Sequence, residues 1–458
     1  MAVFCCKIID MSKYWLITYG CQMNKSDSKR IAATFERMGL KPASKENEAD
    51  LIVVNMCSVR QSAVDRVYGL EKKFKELKKK NKNLKTLLTG CISNLDFKKF
   101  QNFFDYIFSI KTLSQWPQFL KEGKNFYYPN PREQKFIEKF KAEYLKERTK
   151  YSKKFSVFIP ISSGCDNFCS FCIVPYVRGP LICRPHQDIL KEVKFSVENG
   201  AKEIWLLGQN VNDYESRVES RKLKVVNFAK LLKMVNDIPG IFWIRFTSPH
   251  PKKFSDELIE TMAKSQKVTP YLNLPVQSGD NEVLKRMNRP YIISQYKNLV
   301  KKIKEKIPEI ALSTDVIVGF PGETKEQFEN TAKLLKEIKF DMAYIARYSP
   351  RPGAAAAKLK DDVLPKEKER RYKILTEILK ETALEKNKKY IGKEVEVLVE
   401  SRKSNVEGGN YILFGKTRTY KTVKLQTTNY KLQTNLVGQF VKVKIIDALP
   451  WGLKGKLI

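Results

Sequence analysis

The sequence predicts an α/β protein of three domains, and three observations carry that prediction. Short apolar runs about 35 residues apart, separated by amphipathic stretches, fill the first part of the chain and describe a parallel sheet with helical crossovers. Six further strand–helix units follow within about 230 residues, short of the eight strands and about 250 residues of a complete (β/α) barrel. The last 70 or so residues switch to period-two alternation with glycine at the turns, the pattern of a small five-stranded, OB-like β-barrel. The expected domains are residues 1–128 (parallel α/β), 129–154 (linker), 155–388 (partial (β/α)6 barrel) and 389–458 (small barrel).

In chain order, 15–18, 51–54 and 86–89 read as buried strands, and 26–38 and 61–80 as the helices between them. From Pro129 the sequence turns charged and loses periodicity up to Lys154, which makes it a linker. Strands of the second domain are expected at 157–160, 203–207, 242–246, 271–274, 311–318 and 342–348, with helices such as 187–199 and 325–338 between them. A Lys-rich helix at 366–390 precedes strands at 395–399, 411–414 and 440–445.

Composition bounds the function. The chain has 458 residues, and 85 Lys plus Arg against 50 Asp plus Glu give a net charge of +35. Hydrophobic residues at 42% supply real cores, so a wholly disordered chain is excluded. No apolar run approaches the roughly 18 residues of a membrane span, and the first residues lack an h-region followed by a small-residue cleavage site, so no signal peptide is expected. The expected setting is soluble and cytoplasmic, with no membrane partner. The basic excess points to a polyanion, nucleic acid first. Because 66 of the 85 basic residues are Lys, a general lysine bias explains part of it.

Only His186 and His250 exist, which disfavours two-histidine zinc sites. Nine cysteines, an odd number in a long chain without a secretory signal, argue for thiolate ligands over disulfides. Cys165, Cys169 and Cys172 form a C-x3-C-x2-C loop just after the first strand of the second domain, at the face where such barrels place their chemistry. Three thiolates can hold three irons of a [4Fe–4S] cluster and leave the fourth iron open to a small molecule, whereas ferredoxin clusters close their shell with four. The alternative is a structural zinc loop with Cys183 as fourth ligand. Cys21, Cys57 and Cys91 each follow a predicted strand of the first domain. Ends of parallel strands gather along one sheet edge, so these three can converge on a second cluster with an open iron. Cys5 and Cys6 receive no role.

The aromatic Phe171 before the last loop cysteine, with the barrel and the spacing, resembles the radical S-adenosylmethionine (SAM) superfamily. The stretches YGCQMN (19–24), NMCSVR (55–60), Gly90-Cys91, GCDNFCSFCIVP (164–175), LLGQNVN (206–212), RFTSPHP (245–251), LPVQSGDNEVLKRMNRP (274–290), STDVIVGFPGET (313–324) and YSPRPG (348–353) resemble the methylthiotransferase family within it. The likeness is collinear over nearly the whole chain, and the small barrel is similar to the family's RNA-binding TRAM domain. The resemblance implies two [4Fe–4S] clusters and SAM. Cys165, Cys169 and Cys172 would hold the cluster that cleaves SAM to a 5′-deoxyadenosyl radical. Cys21, Cys57 and Cys91 would hold the cluster presenting sulfur. The reaction implied is methylthiolation at C2 of N6-isopentenyladenosine 37, beside the tRNA anticodon, where an inert C–H calls for a radical. No catalytic residue is expected beyond the cluster ligands.

SAM contacts are expected from Phe171, Gly208, Gln209, Gln277, Ser278, Val316 and Gly319. Gln209 stands where the superfamily usually has an acidic residue, and Gly319 with Gly322 either contacts SAM or only makes a turn. Arg178, Arg184 and Arg245 either bind the SAM carboxylate or substrate, or form structural ion pairs. Cys183 departs from the family's Ser, and Met56 from its common Thr. The last 68 residues carry 12 Lys plus Arg and 5 Asp plus Glu, interleaved with Tyr411, Phe414, Tyr420 and Tyr430, which suits a stacking and phosphate surface for RNA. By contrast, 72–85 is the solvated face of a helix. Expected partners are the tRNA anticodon stem-loop, an electron donor of flavodoxin or ferredoxin type and a sulfur donor; a monomer is expected. Rival substrates within the family are threonylcarbamoyl-adenosine tRNA and a ribosomal protein. From another class, a non-catalytic iron–sulfur RNA-binding protein is the rival.

Overall fold

A computed structural model describes residues 11–123, 155–218, 224–404, 411–426 and 436–458. The expected linker, Cys5, Cys6 and Tyr430 lie outside them. The chain divides into two compact units. The first comprises Met1–Ser152, Pro160–Arg184 and Arg351–Ala354, and the second Lys153–Ile159, Pro185–Pro350 and Ala355–Ile458.

In the first unit, strands β1 (Lys13–Tyr19), β2 (Leu51–Cys57) and β3 (Lys85–Cys91) form the centre of a five-stranded parallel sheet, with two-residue edge strands at Lys41–Pro42 and Tyr106–Ile107. All seven residues of β2 are buried, which is why it reads as an unbroken apolar run. Its side chains alternate between two cores. Leu51 and Val53 pack with Ile31, Phe35 and Trp116; Ile52, Val54 and Met56 pack with Val64, Phe74 and Phe100. Each such side chain contributes roughly 1.5–3 kcal/mol by leaving water. Helix Gln22–Arg37 covers the first face, starting earlier than expected because Cys21 caps it. The stretch expected as one helix is two, Gln61–Tyr68 and Glu71–Lys80, broken at Gly69-Leu70. In the second of these only Phe74 is buried, so its lysines do face water.

The second unit contains six parallel strands in two three-stranded sheets. The first, in spatial order, is β6 (Trp243–Phe246), β5 (Glu203–Leu207), β4 (Ser156–Pro160), and the second β7 (Tyr271–Asn273), β8 (Ala311–Val318), β9 (Met342–Arg347). Ile244 joins them by pairing with Val268, its N–H donating to Lys267 O and its carbonyl accepting from Thr269 N–H. The result is an open run of six strands, as the count of βα units predicts. A hairpin, Glu215–Val218 with Lys224–Asn227, was not visible in the sequence.

After helix Pro365–Lys388, strands β10 (Glu394–Ser404), β11 (Tyr411–Thr417), β12 (Thr422–Gln426), β13 (Phe440–Leu449) and β14 (Gly452–Leu457) close a five-stranded barrel in the order β10-β11-β12-β14-β13. The core is Val397, Val399, Leu413, Val423, Leu425, Val443, Ile445 and Leu453. Strands β12 and β14 escaped the sequence reading. In β14 two glycines break the alternation, and Gly455 is there because a Cβ would come within 2.3 Å of Val443 Cγ1. No described helix is long and apolar enough to cross a membrane.

Candidate iron–sulfur and SAM site

The first unit carries both groups of three cysteines. Cys57 and Cys91 are the last residues of β2 and β3 and pair directly in the parallel ladder. They are 4% and 3% exposed, in a small cluster with Ala63. Cys21 follows β1 on the neighbouring strand and caps helix Gln22–Arg37. The three expected strand ends therefore do lie side by side along one edge of the sheet.

A buried amide network, not foreseen in the sequence, holds this edge. Asn24 Oδ1 accepts from the Cys21 N–H at 3.3 Å and from its S–H at 3.5 Å. Its Nδ2 donates to Asn55 Oδ1 at 3.0 Å and to Met56 O at 3.1 Å. Asn55 Nδ2 in turn donates to Asn24 O (2.8 Å) and Ser28 Oγ (2.9 Å). Both asparagines are fully buried, so the network fixes the cap of one strand against the end of the next. Gly90 has φ +109°, and a Cβ there would stand 2.2 Å from Met56 O, so only glycine admits the close approach beside Cys91.

Two charges and two thiols meet here. Arg178, from the cysteine loop, donates through Nε to Cys91 Sγ at 2.9 Å and through Nη2 to Asp27 Oδ2 at 2.8 Å. Cys91 hydrogen-bonds Cys57. That bond lowers the Cys57 thiol's pKa, whereas the same bond and complete burial push Cys91 well up. The two thiols therefore stand next to each other at the ends of neighbouring parallel strands.

The loop of Cys165, Cys169 and Cys172 is closed at its base by a two-residue antiparallel ladder, Ser162 with Cys183 and Ser163 with Ile182. Gly164, at φ +85°, lies against Pro180 O, which a Cβ would approach to 1.9 Å. The Cys165 N–H donates to Gly179 O at 3.2 Å. N–H groups already point at sulfur: Asn167 Nδ2 is 3.4 Å from Cys165 Sγ and Val174 N is 3.5 Å from Cys172 Sγ. Burial raises the Cys165 thiol. Three thiols on one loop, two of them with N–H donors aimed at the sulfur, fit the ligand set of an iron–sulfur cluster. Among the described residues no three His, Cys, Asp or Glu side chains stand as close as ligands of one metal ion.

In the second unit the expected SAM contacts lie at or just beyond the C-terminal ends of their strands, but in different conditions. Gly208 and Gln209 follow β5, and Gln209 is half-buried. Gln277, in the left-handed region at φ +71°, is locked to β8 by Gln277 N–H to Asp315 O (2.8 Å) and Ile317 N–H to Gln277 O (2.9 Å). Ser278 is fully buried near Thr331 Oγ1 (3.4 Å), and Val316 is fully buried. Gly319 makes the turn that was one of its two readings: at φ +69° it donates to Glu323 Oε2 (2.6 Å) and lies against the Lys368 side chain. Phe171 is half-buried on the cysteine loop of the first unit.

Of the three arginines with two readings, Arg178 and Arg245 form buried ion pairs, and Arg184 bonds a backbone carbonyl. Arg245 is 1% exposed, pairs with Glu203 at 2.6 Å, and donates to Thr269 Oγ1, Arg418 O and Thr417 O at 2.8–2.9 Å. It fastens the small barrel to the strands, with four of its five N–H donors spent on that contact. Arg184 Nη1 binds Pro160 O at 2.7 Å. Tyr420 is likewise not an RNA platform: its ring packs on Trp205, Tyr271 and Arg245. Phe414 remains half-buried with Lys403 Nζ 5.7 Å over its ring.

The comparisons with known proteins agree with this layout. A family model described as the Radical SAM superfamily matches residues 159–335, one described as Uncharacterized protein family UPF0004 matches 13–109, and the TRAM domain matches 388–458. The class is therefore radical SAM, which implies a [4Fe–4S] cluster and SAM. The tRNA-2-methylthio-N(6)-dimethylallyladenosine synthase of Clostridium botulinum (strain Langeland) is 41% identical over 455 residues, covering 98% of this chain and 97% of its own. That of Dictyoglomus thermophilum is 39% identical over 461 residues, covering 98% and 99%. The chain belongs to this family of synthases. Among solved structures, the radical SAM methyltransferase TsrM of Kitasatospora setae shares the fold, with a TM-score of 0.54, 13% identity and coverage of 76% of this chain and 77% of that one.

Proposed function

We propose that this protein methylthiolates C2 of N6-dimethylallyl (isopentenyl) adenosine at tRNA position 37, using two [4Fe–4S] clusters and SAM. The observation that carries the reading is the near-full-length identity to synthases named for that product. When bound, the clusters and SAM supply an organic radical able to remove an aromatic hydrogen, together with a sulfur source. Cys165, Cys169 and Cys172 hold the first cluster, and their loop donors Asn167 and Val174 orient the sulfurs. Cys21, Cys57 and Cys91 hold the second, a reading supported by their adjacency on one sheet edge. Asn24 and Asn55 keep that edge rigid and water-poor. Phe171, Gly208, Gln209 and Gln277 orient SAM; Ser278, Val316 and Gly319 serve from beneath, as packing and as a turn.

The small barrel offers Phe414, Lys403 and the surrounding cations to the anticodon stem-loop. The electron donor is of flavodoxin or ferredoxin type, a sulfur donor reloads the enzyme, and the protein acts as a monomer in the cytoplasm. Mass spectrometry of tRNA nucleosides from a deletion strain tests the reading. It expects loss of 2-methylthio-isopentenyladenosine with accumulation of isopentenyladenosine. Loss of the threonylcarbamoyl methylthio nucleoside instead would move the protein to that branch.

A further inference from the structure

Arg178 stands six residues beyond Cys172, yet its guanidinium is spent on the other cysteine group. It is 4% exposed, and its partner Asp27, on helix Gln22–Arg37, is fully buried. The same side chain therefore joins the cysteine loop, the helix capped by Cys21, and Cys91 itself, with 2.9 Å to the sulfur and 2.8 Å to the carboxylate. A buried ion pair is a poor source of stability, since an apolar pair of similar volume packs as well or better. The direction of the guanidinium is more informative. One edge meets the carboxylate, and Nε–H is left facing a thiol. Hydrogen bonds to ligating sulfur and the local charge are the levers by which a protein sets the potential of an iron–sulfur cluster.

We propose that Arg178 is a positioning residue that holds Cys91 toward the second cluster and raises that cluster's reduction potential, with Asp27 opposing the rise. The inference rests on Cys21, Cys57 and Cys91 holding a cluster. Reduction adds negative charge beside Cys91, so a fixed cation and an N–H donor favour it, and a fixed anion disfavours it.

The test uses the full chain with Cys165, Cys169 and Cys172 all changed to Ala, so that only the second cluster is seen. After anaerobic reconstitution, iron is counted and the midpoint potential read by EPR-monitored redox titration. The parent is expected to bind about four irons. Arg178→Gln should lower the midpoint so that the reduced-to-oxidised ratio, at the potential where the parent is half reduced, falls about tenfold, or ~59 mV for one electron. Asp27→Asn should move it the opposite way, and Arg178→Lys should recover part of the loss. Opposite signs are not what a merely structural pair gives. Equal midpoints in variants with full iron, or shifts of one sign, overturn the proposal. Should Arg178→Gln bind no iron, Arg178→Lys and Asp27→Asn decide by the same criteria. A parent without iron removes the second-cluster reading and the inference with it, a result distinct from all the others.

Discussion

Gly90→Ala is the sharpest single perturbation of the sheet edge. At φ +109° an L-residue is strained, at about 1–3 kcal/mol. The added methyl would also stand 2.2 Å from Met56 O and 2.5 Å from Asn55 Oδ1. Neither neighbour can yield cheaply, because Met56 is the ladder partner of Gly90 and Asn55 is fully buried in the amide network. Overpacking adds about 1–3 kcal/mol, so the expected destabilisation is about 2–6 kcal/mol. Gly123→Ala is the control: φ is +64° there, but a Cβ would meet nothing within 4 Å, which leaves only the strain. Thermal unfolding should show the first unit's transition at least about 4 °C lower in Gly90→Ala, and a smaller change in Gly123→Ala. Iron after reconstitution should fall from about eight toward about four in Gly90→Ala alone. Full iron and an unchanged transition in Gly90→Ala would refute the steric reasoning.

Other outcomes follow from particular contacts. Arg245→Ala leaves Glu203 buried without its cation and should cost about 3–5 kcal/mol, read as a lower melting temperature and faster proteolysis of the small barrel; adding Glu203→Leu should recover much of it. His250 has its pKa lowered to about 3 by burial and by Arg289, Lys252 and Lys253. The folded protein keeps it neutral while the unfolded chain protonates below about 6.5, so stability is full above that pH and falls as pH drops, by at most about 1.4 kcal/mol per unit. His250→Asn should flatten that slope in denaturation series at pH 5 and 7. Cys183→Ser should keep the iron of both clusters, because Cys183 sits in the ladder opposite Ser162; iron loss would make it a ligand.

Residue types that name their own chemistry were legible in the sequence. Six cysteines following predicted strands or grouped in one loop named the candidate cluster ligands, and period and spacing foretold the parallel sheet, the βα series and the small barrel, which fold into two compact units. What stayed hidden depends on partners far along the chain. Asn24 and Asn55 are 31 residues apart, and a polar residue in LIVVNMC reads only as an interruption until its partner is seen. Arg245 and Tyr420 are tied across more than 170 residues of sequence, so nothing local distinguishes a docking core from a ligand-binding pair. Strand β14 was hidden by two glycines that allow close packing, Gly455 against Val443 of β13 and Gly452 against Thr422 of β12.

Two separate groups of three cysteines, each holding a cluster, should be visible in the iron content of anaerobically reconstituted protein. The native chain should bind about eight irons. About four should remain when Cys165, Cys169 and Cys172 are changed to Ala, and about four again when Cys21, Cys57 and Cys91 are changed instead. About four irons in the native chain, with none lost on changing Cys21, Cys57 and Cys91, would contradict the two-cluster reading.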